Sequence, residues 1–258
     1  TAIDGPAAAA DAEDVAEPID AAAGVDSQCA GSPIARARKN LAALEALAAA
    51  EERGRATAEE IAAMEAYSGW GGAQKAFSEK AEGEWVEIRD RLRELLSEDE
   101  FASQRHTVLT AFYTPAPVIG AIYDALREAG IGQGDTPAAI LEPGCGTGNF
   151  MRLAPADLAL DFHGVELDSI SARIAQALCP EAHITAAGLE ECRVSPASFD
   201  AAIGNVPYSG DIKIDGMPIH DYFIKKSVEA VRPGGIVAVL TSRYTLDKNS
   251  TATRRALA

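Results

Sequence analysis

Two short stretches carry residue types from which a reacting site could be built. Residues 201–210 read AAIGNVPYSG, an apolar run that stops on a hydrogen-bonding amide (Asn205), Val206, a rigid ring (Pro207) and an aromatic (Tyr208), with glycines on both sides. Taken alone, this is also an ordinary strand exit with Asn and Pro as turn formers. Residues 140–150 read ILEPGCGTGNF, in which Gly144, Gly146 and Gly148 follow directly on an apolar run. The chain must turn sharply there, and a ligand can lie against bare backbone. The spacing is GxGxG rather than the GxGxxG of dinucleotide binders, which weakens a nicotinamide reading. Eighteen residues beyond Gly148, the stretch GVEL ends a second apolar run on Glu166. A carboxylate at that point can accept hydrogen bonds from both hydroxyls of a ribose. Glycine-rich strand ends also occur as plain turns, but the acid tips the pair toward a nucleoside-bearing ligand.

Alternating strands and helices must position these residues. PAAILEP (137–143), FHGVEL (162–167), HITAA (183–187), FDAAIG (199–204) and GIVAVLTS (235–242) read as buried strands, and helix-compatible sequence separates them, including a helix from about His220 to Val231. Short apolar strands alternating with helices predict a mostly parallel sheet covered on both faces. Upstream, the pattern is helical. Leu41, Leu44 and Leu47 share a face of one helix that Gly54 can stop, and Thr57 with Glu60 forms a capping box for a second helix ending near Tyr67. SGWGG at 68–72 is too glycine-rich to continue it, and Trp85, Ile88, Leu92 and Leu95 recur at helical spacing as a core face. The expected organisation is an acidic, Ala-rich disordered tail over 1–32, a helical region over 33–105 and an α/β domain over 106–258.

The 258 residues are 47% hydrophobic, ample for a packed core, and no apolar run approaches the roughly 20 residues of a membrane span. The acidic N-terminus lacks the positive region of a secretory signal, so a cytoplasmic location and no membrane partner are expected. Cys29, Cys145, Cys179 and Cys192 form no CxxC pair and are expected to be reduced. His106, His163, His183 and His220 show no metal-ligand spacing, so no metal is expected. Net charge is −16; seven acids and no base fall in residues 1–30, so the remainder still carries −9. A nucleic-acid enzyme of this composition needs a local basic surface or a separate binding module.

AFYTP at 111–115, EPGCGTGNF at 142–150 with GVEL beyond it, and NVPY at 205–208, in that order, resemble the S-adenosylmethionine-dependent methyltransferases that act on exocyclic amines, above all the DNA N6-adenine methyltransferases. The resemblance covers about 108–245. It implies a Rossmann-like methyltransferase fold, S-adenosylmethionine as cofactor, base flipping and direct methyl transfer to adenine in DNA, in some cases within a restriction-modification system. The resemblance assigns the methionine end of the cofactor to Glu142, Pro143, Gly144, Gly146, Gly148, Asn149 and Phe150, with Tyr113, Thr114 and Pro115 as a lid. It assigns the ribose to Glu166, packs Leu167 on the cofactor's adenine, places the acid that receives that adenine's amine in Gly188-Leu189-Glu190, and sets Asn205 beside the reacting methyl.

The same resemblance makes Asn205, Val206, Pro207 and Tyr208 catalytic. An adenine amine is a weak nucleophile, and two acceptors on its hydrogens, the Asn205 amide oxygen and the Val206 carbonyl, stabilise the charge that develops on it. Pro207 holds its predecessor extended, and Tyr208 offers a face for a flipped base. Val206 departs from the family, which usually places a proline there. N-L-P-Y-like forms occur in ribosomal RNA adenine dimethyltransferases and N-P-P-Y in protein-glutamine methyltransferases, so both acceptors stay open, as does a non-catalytic binding module. A domain of this type resembles a seven-stranded sheet, against five strands counted here. The sheet is therefore expected to be incomplete at the C-terminus, and the chain to be part of a longer polypeptide of the kind found in plasmid- or phage-borne methylase/helicase-like proteins.

Overall fold

The computed structural model describes residues 2–3, 25, 28, 30–107, 114–209 and 211–242. Helix α1 (Pro33–Arg53) begins where the Ser32 hydroxyl accepts the Ala35 N–H, with Pro33 in the first turn, and stops at Gly54 in the left-handed region. Helix α2 (Ala58–Glu65) carries the expected capping box of Thr57 and Glu60. A 3-10 turn (Gln74–Phe77) follows the SGWGG loop, then α3 (Glu84–Leu95) and α4 (Glu98–Thr107). The apolar stripe Leu44, Leu47, Met64, Tyr67, Ile88 and Leu92 closes around Trp70, which is fully buried and meets the Phe77 ring edge-on at 5.1 Å. Trp70 is thus core, and Trp85, at helical spacing with Ile88 and Leu92, is partly buried against the same cluster.

The α/β portion runs α5 (Ala116–Glu128), β1 (Ala138–Pro143), α6 (Asn149–Arg152), β2 (Leu160–Glu166), α7 (Ser169–Leu178), β3 (His183–Ala186), β4 (Phe199–Asn205), α8 (Ile219–Ala230) and β5 (Val231–Leu240). The five strands form one sheet in the order β3-β2-β1-β4-β5, every pairing parallel. This is a Rossmann-like arrangement, with the order reversing beside β1 and all carboxyl ends on one edge. Alternation along β1 feeds both faces. Ala138 and Ile140 pack with Ile119, Tyr123 and Leu126 of α5, whereas Ala139 and Leu141 pack with Tyr222 and Phe223 of α8.

The helical region is joined to the sheet through α7, whose Ile170 and Ile174 belong to the same cluster as Trp70. Burying two isoleucines there contributes about 3–6 kcal/mol. Arg173 adds ion pairs to Glu51 and Glu100 at the rim, where solvent keeps their worth small.

Several boundaries shift from the sequence reading. The fifth strand begins at Val231 rather than 235, because Arg232-Pro233-Gly234-Gly235 forms an irregularity between the pairs Phe199↔Val231 and Ala201↔Ile236 and not a separate loop. Parts of the 1–32 tail are described. Ala2 and Ile3 pair in parallel with Arg193 and Val194, and Gln28 is buried, exchanging side-chain hydrogen bonds with Asn149. The rest of that tail lies outside the described residues, as do Cys29, Tyr113 and everything after residue 242. Cys145, Cys179 and Cys192 are free thiols. Among the described residues, no helix is long and apolar enough to cross a membrane.

Candidate functional site

The ends of β1, β2 and β4 open into one cleft of about 590 Å³ at the carboxyl edge of the sheet. The loop after β1 explains its glycines. Gly144, Gly146 and Gly148 all have φ between +56° and +79°, which side chains with a Cβ rarely adopt. At Gly146 a Cβ would meet nothing within 4 Å, so the backbone lies bare toward the cleft. Gly148 serves differently: it caps α6, and a Cβ there would press on Cys179 Sγ at 3.0 Å. It packs the loop onto α7 and does not line the cleft. Neither do Pro143, which closes the β1–β2 pairing opposite Val165, nor Pro115, an exposed residue preceding α5.

Glu166, the last residue of β2, accepts the Gly146 N–H on one carboxyl oxygen and the Asp168 N–H on the other, both at 2.8 Å. Its side chain is thereby fixed at the cleft wall with lone pairs left for further donors. Burial pushes its pKa up to about 7, against the pull of these amides. Glu142 on β1, whose register partner Gly164 lies two residues before Glu166, is almost fully buried, and desolvation with the nearby Glu166 charge pushes its pKa well up. Glu142 Oε2 and the Thr147 hydroxyl are buried without a hydrogen-bond partner among the described residues. Buried polar atoms of this kind are rare unless something else pairs with them. Both atoms belong to residues lining the cleft.

Asn205, Val206, Pro207 and Tyr208 line the same cleft. A Cβ placed on Gly144 would lie 3.5 Å from Pro207 Cδ, so the two loops meet side by side at the rim. The structure also accounts for Val206. Its N–H donates to the Leu240 carbonyl of β5 at 3.1 Å, a bond proline cannot make, and its side chain is fully buried. Thr114, Leu167 and Leu189 line the cleft too; Thr114 and Leu189 are buried, and Leu167 is 73% exposed at the mouth. Asn149 and Phe150 reach it from α6, where Tyr123 donates to the Phe150 carbonyl at 2.5 Å.

The helical region supplies cleft residues that sequence reasoning missed. Tyr67, Gly69 and Ser103 line the cleft, and SGWGG is thus a wall of the site as well as a loop. Gln104 ties that region to Asp168, whose N–H Glu166 accepts. Its Oε1 accepts from Tyr67 OH at 2.8 Å and Trp70 Nε1 at 2.9 Å, and its Nε2 donates to Asp168. Asp168 in turn caps α7 through the Ser171 N–H. Asp168 and Ser171 show a DSIS capping pattern directly after GVEL that could have been read from the sequence. The absence of ligand spacing among histidines does not extend to space: His163 and His183 are register partners on β2 and β3.

No protein-family model matches this sequence, and no curated protein does. Solved structures that resemble it include the type I restriction-modification system methyltransferase subunit from Streptococcus thermophilus, at 15% identity and TM-score 0.48, covering 67% of this chain and 47% of that one. A SAM-dependent methyltransferase from Geobacter sulfurreducens in complex with S-adenosyl-L-homocysteine matches at 19% identity and TM-score 0.36, covering 49% and 47%. The [4+2]-cyclase SpnF matches at 23% identity and TM-score 0.34, covering 46% and 43%. The chain thus spans about half the length of each.

Proposed function

We propose that this chain binds S-adenosylmethionine in the cleft and transfers its methyl group to the N6 amine of adenine in DNA. What carries the reading is one juxtaposition: bare Gly146 backbone, the fixed Glu166 carboxylate and the Asn205–Tyr208 exit share one cleft. The residues present suit the cofactor. Glu166 receives the ribose hydroxyls on its remaining lone pairs. Glu142 Oε2 and the Thr147 hydroxyl, both buried and unpaired, take donors and acceptors at the methionine end. A cation brought beside Glu142 favours its ionised form, opposing the burial that raises its pKa. Leu189 and the exposed Leu167 offer apolar surface to the adenine ring.

When bound, the sulfonium supplies an activated methyl group and no metal is required for the transfer. Asn205 accepts one hydrogen of the target amine through its side-chain oxygen, and the Val206 carbonyl accepts the other. Together they stabilise positive charge as it develops on nitrogen. The ladder bond from Val206 to Leu240 takes over the stiffening that a proline gives, so the carbonyl stays in place without one. Tyr208 stacks on a base drawn out of the duplex. With a net charge of −16, phosphate contacts must come from a local basic surface or from further domains of a longer polypeptide.

The test is transfer of labelled methyl from S-adenosylmethionine to unmethylated duplex DNA, to RNA and to protein, with nucleoside and amino-acid analysis. Label in N6-methyladenine from DNA is the expected product. Label in RNA adenine or in glutamine reassigns the acceptor, and cofactor binding without any transfer makes the chain a binding module.

A further inference from the structure

The register of β2 and β3 assembles a side-chain cluster that no linear motif announces. His163 stands opposite His183, and Asp161 lies two residues earlier on the same face of the sheet as His163. The Asp161 carboxylate sits between the two imidazoles. One oxygen is 3.2 Å from His163 Nε2, and the other is 3.6 Å from His183 Nε2. The two rings are 4.8 Å apart, and the ligand-capable atoms of all three side chains lie within 4.8 Å of one another. In tetrahedral zinc, with bonds of about 2.0–2.1 Å, ligand atoms are roughly 3.3–3.4 Å apart. The two measured separations, each to a different oxygen of the Asp161 carboxylate, lie near that spacing. A single metal therefore requires Asp161 to turn one oxygen toward both nitrogens and His183, whose side chain is 57% exposed, to turn with it.

We propose that Asp161, His163 and His183 form a binding site for zinc or a similar divalent transition metal, with a fourth position open to water. Two imidazoles and one carboxylate suit zinc rather than magnesium or calcium, which prefer oxygen donors throughout. The two inner ligands are held in place: His163 and Asp161 are largely buried, and the edge of Phe199 packs against the His163 ring with centroids 5.4 Å apart. None of the three lines the cleft. His163 precedes Glu166 by three residues, about 10 Å along the strand. A bound metal therefore ties the four-residue β3, at the border of the sheet, to the strand that carries Glu166. It acts as a brace and takes no part in the chemistry.

The experiment uses the full chain without an affinity tag, stripped with chelator and then titrated with Zn2+ by calorimetry and with Co2+ by visible absorption. One equivalent is expected, with the intense d–d bands of four-coordinate cobalt, no thiolate charge-transfer band, and a higher melting temperature in Zn2+. His183→Ala, at an exposed position, and the isosteric Asp161→Asn should fold normally. Each should weaken binding beyond the roughly 10–100-fold lost when an outer-shell partner is removed. Three outcomes overturn the assignment: no saturable binding tighter than about 1 mM, a thiolate band that moves the metal to the cysteines, or unchanged affinity and stoichiometry in His183→Ala. None of these measurements depends on methyl transfer.

Discussion

Replacing Glu166 with alanine tests the cofactor assignment quantitatively. In the free protein the carboxylate accepts two backbone N–H groups, from Gly146 and Asp168, each at 2.8 Å. In the proposed cofactor complex it accepts two ribose hydroxyls as well. Hydrogen bonds to a charged group are worth about 1.5–3 kcal/mol each, so losing two costs at least about 3 kcal/mol of binding. That is roughly a 150-fold increase in Kd. Folding stability should fall by much less, about 1–2 kcal/mol, because water in the open cleft replaces the carboxylate at the two amides. Calorimetric titration of wild type and variant with S-adenosylhomocysteine, and with its 2′,3′-dideoxy analogue, separates the two effects. The analogue should bind wild type as weakly as the variant binds the parent ligand, and should lose little more in the variant. If Glu166→Ala shifts Kd by less than about threefold, or the analogue loses as much as the parent, the carboxylate is not at a ribose and the reasoning fails.

Asn205→Ala should cut transfer by about 100–1,000-fold while changing cofactor affinity little, since its acceptor acts on charge present only in the transition state; equal loss of both in kinetics and calorimetry would make the residue structural. Cofactor affinity should rise with pH through about 7 and level off above it, because the Glu166 carboxyl must ionise to accept two hydroxyls, and the slope should vanish in Glu166→Ala. The same group makes the free protein lose stability as pH rises from its ordinary value of 4.5 to about 7, since the folded state holds that proton more tightly; urea midpoints at pH 5 and 8 check the sign. Gln104→Leu leaves Tyr67, Trp70 and Asp168 without the partner they share, and should destabilise by about 2–4 kcal/mol in denaturant titration. Val206→Pro should destabilise by about 1–3 kcal/mol through the lost bond to Leu240, without raising activity.

Contrary to the expected buried strand, β3 is half polar and no residue of it is buried. β1, β2, β4 and β5 were legible because each holds a short apolar run, and GxGxG with a later acid marks the rim of such a sheet. The strand-five boundary was not, since Pro233-Gly234-Gly235 looks like a loop and only pairing with β4 shows an irregular strand. Helix α4 escaped separate notice because EDEFASQRHT carries no apolar stripe; its partly buried Phe101 packs against the helical core. The contributions of Tyr67, Gly69 and Ser103 to the cleft arise from the docking of the helical region on α7, which no local pattern encodes. Asp161, His163 and His183 are separated by up to 22 positions in the chain, and it is parallel register alone that brings them together. Pro143, Pro115 and Gly148 show the converse: residues inside a motif can serve the backbone path around a site without facing it.

A crystal structure of the chain with S-adenosylhomocysteine tests the central claim most directly. The account predicts both ribose hydroxyls within about 2.5–3.0 Å of the Glu166 carboxyl and the sulfur directed at the space between Gly146 and Asn205. A ligand bound outside this cleft, or one whose sulfur points away from Asn205 and Val206, would contradict it.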